Sequence, residues 1–167
     1  MTPSDDLYRR LRGAFTLGDI LNTAIEFEQA SFDYYCLWAE KLHGELQALL
    51  VALAEEELRH CDLLLGLRDQ MEQANRLTEQ PINRPTGEEF GGFFQLSELD
   101  EGNVTREAIV RVAAAREQMA QEQYQMLALE LDEGPAKELF SYLAKEESAH
   151  RMELGRLFHM PEIGNHD

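Results

Sequence analysis

Residues 50–65 read LVALAEEELRHCDLLL. On a helix, Leu50, Leu53, Glu57, His60 and Leu64 fall on one face, because steps of three and four residues return to the same side. That face is apolar above and below one polar interruption, a Glu followed three residues later by a His. Taking a carboxylate out of water costs several kcal/mol, so its place among leucines calls for a partner.

Three other segments carry the same kind of stripe. One reads Leu21, Ile25, Glu28, Phe32, Tyr35, Ala39, Leu42, and another Val110, Ala113, Glu117, Ala120, Tyr124, Leu127, Leu131. The last reads Leu139, Leu143, Glu147, His150, Leu154, Leu157. Each is interrupted near its middle by a Glu, and in the second and fourth segments a His follows. A shift of about 90 residues superposes one half of the chain on the other. Glu28 pairs with Glu117, Tyr35 with Tyr124, and Glu57–His60 with Glu147–His150. The pattern predicts a duplicated helical hairpin with a pseudo-two-fold site between its halves.

Punctuation residues set the expected bounds. A short N-terminal helix starts at Ser4, with Asp5 and Asp6 behind it, and ends near Gly13. The first long helix starts at Thr16, with Asp19 in its first turn, and stops at Gly44. The second follows at once, from Glu45 to about Ala74, so the two are antiparallel neighbours. Residues 75–103 hold Pro81, Pro85, Gly87, Gly91, Gly92 and Gly102 and read as irregular. A helix of this length spans about 40 Å, and joining the second helix to a parallel third requires a crossover of that reach. The third helix runs from about Thr105 to Glu133. Gly134 ends it, Pro135 opens the fourth, and Pro161 follows the fourth's end near His159. The expected fold is an all-α antiparallel four-helix bundle, one domain over 1–167 with its core at about 16–159.

Four carboxylates packed together repel one another and each is costly to desolvate. Two divalent cations resolve this, because four Glu and two neutral His sum to −4. In Glu-x-x-His both side chains face the same way, so one ion takes both, while the lone Glu28 and Glu117 bridge or cap. Glu28, Glu57, His60, Glu117, Glu147 and His150 are therefore the candidate ligands. Oxygen-rich sets with one imidazole per ion suit iron or manganese, and zinc binds such a set too. The alternative is a Glu-rich bundle whose six residues face water. Glu is abundant, 23 of 167 residues, so a lone Glu-x-x-His means little. Glu40–His43 is such a copy, off the stripe and without a repeat partner, and reads as a solvated helix end.

Tyr35 and Tyr124 lie two turns beyond Glu28 and Glu117. They are candidates to hydrogen-bond ligands or to stand near an oxidant, the alternative being core aromatics with satisfied hydroxyls. Glu26, Glu55, Glu56 and Glu146 read as surface charges, although Glu56 and Glu146 flank ligands. Cys36 and Cys61 form no C-x-x-C pair and read as small buried hydrophobes. His159 and His166 have no ligand spacing.

The segments EQASFDYY, EEELRH, EQMAQEQY and KEESAH resemble the rubrerythrin-like branch of the ferritin-like superfamily, over about Thr16 to His159. The resemblance implies a ferritin-like bundle with two iron ions that react with peroxide or dioxygen. Ala120 stands where that family usually carries a further glutamate, one that takes part in a redox-linked ligand switch; the resemblance does not extend to that switch. The paired C-x-x-C motifs of a rubredoxin-like domain are absent from the sequence, which implies a separate electron donor. The six-ligand set equally resembles bacterioferritin-type ferroxidase sites, and analogy with such bundles suggests a homodimer.

Composition narrows the alternatives. The 167 residues are 44% hydrophobic and 28% charged, with 15 basic and 32 acidic side chains and a formal charge of −17. Such a surface repels phosphate backbones and anionic membranes. No apolar run reaches the length of a membrane span, and MTPSDDLYRRLRGAF lacks a signal peptide's apolar stretch. The expected protein is cytoplasmic and binds neither nucleic acid nor membrane. Its expected role is peroxide reduction or ferroxidase-like chemistry. Iron storage, an oxygenase acting on an organic substrate, and a non-enzymatic helical bundle docking through Phe90–Phe94 are the alternatives.

Overall fold

The computed structural model describes residues 16–79 and 104–158. They form four helices: α1 (Leu17–Ala39), α2 (Glu45–Gln73), α3 (Arg106–Glu130) and α4 (Pro135–Phe158). Among the described residues there is no strand, and no helix is long and apolar enough to cross a membrane. The expected N-terminal helix, the crossover at 80–103 with its Phe90–Phe94 motif, His159 and the tail with His166 lie outside the described residues.

The caps explain the bounds. Thr16 closes a capping box with Asp19, each side chain taking up a backbone N–H of the other residue's segment. The Thr105 hydroxyl accepts from the Ala108 N–H. Asn75, at φ 54°, ends α2 in the left-handed region, with Arg76 N–H donating to Met71 O and Asn75 N–H to Glu72 O. That pair of bonds is a Schellman ending.

Two bounds differ from expectation: α3 stops at Glu130, not Glu133, because Leu131 is already extended, and α1 stops at Ala39, not Gly44. The chain tightens where Lys41 N–H donates to Trp38 O, and the Gln47 amide caps the freed Ala39 carbonyl at 3.0 Å. Gly44, at φ 75°, turns the chain and becomes the N-cap of α2. Glu40 and His43 are exposed in this turn, beyond the helix.

Side-chain pairings give the packing order. Tyr34 donates to Ile109 O, Arg116 to Ser31 Oγ, and Tyr124 to Glu28. Partner numbers rise on α3 as they fall on α1, so these helices are antiparallel. On the opposite pair, Glu57 faces His150 and His60 faces Glu147, so α2 and α4 are antiparallel too. With both hairpins antiparallel, α2 and α3 run parallel, as a long crossover requires.

The core is split in two. One half packs Leu21, Phe27, Leu64, Met71, Tyr124, Phe140 and their neighbours. The other packs Tyr35, Trp38, Leu46, Leu50, Leu53, Val110 and Leu154 among others. On every helix the polar interruption falls between the two halves, so the six polar side chains form a layer sandwiched by apolar ones.

Candidate metal centre

All six side chains of that layer are buried. Glu28, Glu57 and His60 are 0% exposed, Glu147 1%, Glu117 2% and His150 7%. They arrive from four helices at one level because each sits at the same register of its stripe.

Two four-membered groups form, with ligand atoms within 4.8 Å of one another: Glu28, Glu57, His60 and Glu147, and Glu57, Glu117, Glu147 and His150. Glu57 and Glu147 belong to both. The Glu of each Glu-x-x-His is thus the shared carboxylate, while the lone Glu28 and Glu117 cap one group each. The two imidazoles are stacked, 5.6 Å apart at 14°. Both point Nδ1 inward: His60 Nδ1 lies 2.9 Å from Glu147 Oε1, and His150 Nδ1 lies 3.5 Å from both Glu57 Oε1 and Glu117 Oε2.

These atoms lack one another as hydrogen-bond partners. Both oxygens of Glu57, one each of Glu28, Glu117 and Glu147, and Nδ1 of both histidines are buried without aligned hydrogen bonds. Buried polar atoms are normally paired, and so many convergent unpaired ones make a ready coordination shell for cations. The donor set therefore fits two metal ions.

Without cations, charge stays balanced only through protons. Burial, then the neighbouring carboxylates, pushes Glu57 and Glu147 well above the usual carboxylate range. Burial also acts on Glu28 and Glu117, but contacts with Glu57 and His60 in one case, and Glu147 and His150 in the other, outweigh it and hold both below that range. His150 is pushed up to about 10: burial opposes its charge, and Glu117 and Glu57 overcome that.

The outer atoms of the capping carboxylates are held by tyrosines from across the bundle. Tyr35 on α1 donates to Glu117 on α3, and Tyr124 on α3 donates to Glu28 on α1. Burial, then carboxylate charge, keeps both hydroxyls protonated. Their spacing from Glu28 and Glu117 signalled a hydrogen-bonding role but not the exchange between helices.

Arg116 had no sequence signal. It is buried beside Glu117, bonded to Ser31 Oγ at 2.9 Å, with its guanidinium 5.3 Å from the Phe27 and Tyr34 rings. Its place next to a ligand reads on sequence as the solvent side. Cys36 and Cys61 are free thiols, half-buried and buried. Burial and then Glu28, Asp62 and Asp33 push Cys61 up to about 12, which withholds the reactive thiolate and suits a packing role. Ala120 is buried in the core.

A family model described as rubrerythrin matches residues 19–158, a span reaching from the first turn of α1 to the end of α4. No curated protein and no solved structure matches the chain.

Proposed function

The chain belongs to the rubrerythrin family, and on that premise we propose that it is a di-iron carboxylate protein that passes electrons to peroxide or dioxygen. The supporting observation is the sharing of Glu57 and Glu147 by two four-ligand groups, an arrangement that serves a pair of ions. Two Fe(II) ions held there would together supply the two electrons that reduce peroxide to water.

The chain's own residues prepare the site. Glu28 and His60 complete one position, Glu117 and His150 the other. One imidazole and several carboxylate oxygens per position favour iron or manganese over softer metals. The hydroxyls of Tyr35 and Tyr124 fix the orientation of the capping carboxylates. The apolar halves on either side keep bulk water from the layer. A homodimer and a separate electron donor complete the proposal.

Mixing anaerobic Fe(II)-loaded protein with peroxide, then separately with dioxygen, tests it. The expected result is oxidation faster than that of free Fe(II) with at least one oxidant. No acceleration with either rejects the reading.

Ala120 favours a second reading, ferroxidase or iron storage, because it removes the carboxylate linked to redox ligand switching in the family this chain resembles. Sizing in solution with iron counting separates the two. A dimer with about two metals per chain excludes storage.

A further inference from the structure

We propose that Glu56 and Glu146, with the outward nitrogen of His60 beneath them, form a receiving station for divalent cations that Arg59 holds closed. This rests on the two-ion reading of the inner layer and adds the route by which that layer fills.

Glu56 and Glu146 each precede a shared carboxylate, one on α2 and one on α4. With His150 they make a third group whose ligand atoms lie within 4.8 Å of one another. Acidic pairs on surfaces are common, so the pair alone says little. The independent observation is His60. It is fully buried, its Nδ1 faces the inner layer, and its Nε2 has no hydrogen-bond partner and lies 4.0 Å from Glu146 Oε2. A buried donor atom is thus aimed at the outer pair.

Access points the same way. Among the six inner residues His150 is the most exposed, at 7%, the others being 2% or less. Among the described residues, the inner layer meets solvent beside this pair.

Arg59 already occupies the place of a cation. Its Nη2 lies 2.5 Å from Glu56 Oε2 and 2.7 Å from Glu146 Oε2, and its Nη1 donates to the Tyr142 hydroxyl at 2.8 Å. The side chain is 45% exposed, and ion pairs so placed hold weakly, so an arriving divalent ion displaces it. The shift that superposes the halves puts Ala149 opposite Arg59, so a single guanidinium serves both carboxylates.

Cobalt(II) added to metal-free protein tests this, with filling followed by absorbance and retained metal counted after desalting. Wild type should retain two Co(II). Glu56→Gln with Glu146→Gln should also retain two but fill about tenfold more slowly, having lost the local field that concentrates cations. Arg59→Ala should fill faster and hold a third, weaker Co(II) in equilibrium titration. Glu56→Asp with Glu146→Asp keeps the charge and should stay fast. Wild-type filling rates in the Gln pair, slow filling in the Asp pair, or only two Co(II) in the Arg59 variant would each overturn the station while leaving the inner site intact. A wild type that binds no Co(II) overturns both readings.

Discussion

Tyr35, on α1, donates its hydroxyl to Glu117, on α3, inside the buried polar layer. The half-turn repeat of this contact, Tyr124 to Glu28, ties the same two helices in the opposite sense. Each tyrosine therefore serves the capping carboxylate of one metal position. Tyr35→Phe leaves a buried Glu117 oxygen without its donor, and losses of this kind in outer-shell partners weaken metal binding about 10–100-fold. The weakening should fall on one ion, with Tyr124→Phe weakening the other. Competition with a chelator, read as two binding constants, checks this. Equal weakening of both ions by either variant contradicts it.

Acidity should act oppositely on metal-free and loaded protein. Glu57 and Glu147 are raised when folded without metal, so between their ordinary value of 4.5 and their raised values the fold binds more protons than the unfolded chain. Stability of the metal-free form therefore falls as pH rises above 4.5. His150, raised to about 10 from 6.5, contributes stability present below 6.5 and lost by about 10, in the same direction. Glu28 and Glu117 are lowered, so their contribution fades only below 4.5. Cations replace these protons, so loading should release protons and remove the decline. Melting temperatures across about pH 5 to 9, with and without metal, decide the matter. A metal-free midpoint that climbs over that range contradicts the assigned directions.

Which parts of this were legible in the sequence follows from what each feature depends on. The stripes of α2 and α4 were readable because every member, from Leu50 to Leu64 and from Leu143 to Leu154, is buried at periodic spacing. Thr16, Thr105 and Pro135 act locally, and so they marked helix starts. Gly44 was misread as the end of α1, because whether a glycine ends one helix or opens the next depends on where the Ala39 carbonyl finds its partner, here Gln47. The sharing of Glu57 and Glu147 was not readable at all. It depends on α2 and α4 facing each other across the bundle, and spacing within one helix cannot say which neighbour a carboxylate leans toward. Arg116 and Arg59 were missed for the same reason: their partners, Ser31 and Glu146, are 85 and 87 positions away.

Shared and capping carboxylates should differ in what their removal does. Glu57 belongs to both ligand groups and Glu28 to one. Glu57→Leu should abolish paired loading, whereas Glu28→Leu should leave about one ion. In chelator the same Glu57→Leu protein should be more stable than wild type, because an apolar side chain replaces a carboxyl whose burial and like-charged neighbours are unfavourable. Function and stability would then be opposed at one residue. Metal counting and denaturant unfolding on the same preparations measure both. Two ions retained by Glu57→Leu would show that its carboxylate is not shared.

Ala120 invites the converse change. It is 3% exposed and packs with Met119 and Tyr124 in the half of the core next to the polar layer. It lies one turn after Glu117 on the same face. Ala120→Glu would bring a fifth carboxylate to a layer where four already share protons. Without metal, overpacking alone costs about 1–3 kcal/mol, and the unpaired charge adds to it. With metal the new oxygens gain a cation, so part of that loss should return. The prediction is a larger metal-induced rise in melting temperature for the variant than for wild type. An equal rise would mean that the new carboxylate never reaches the ions, and that the space at position 120 opens away from them.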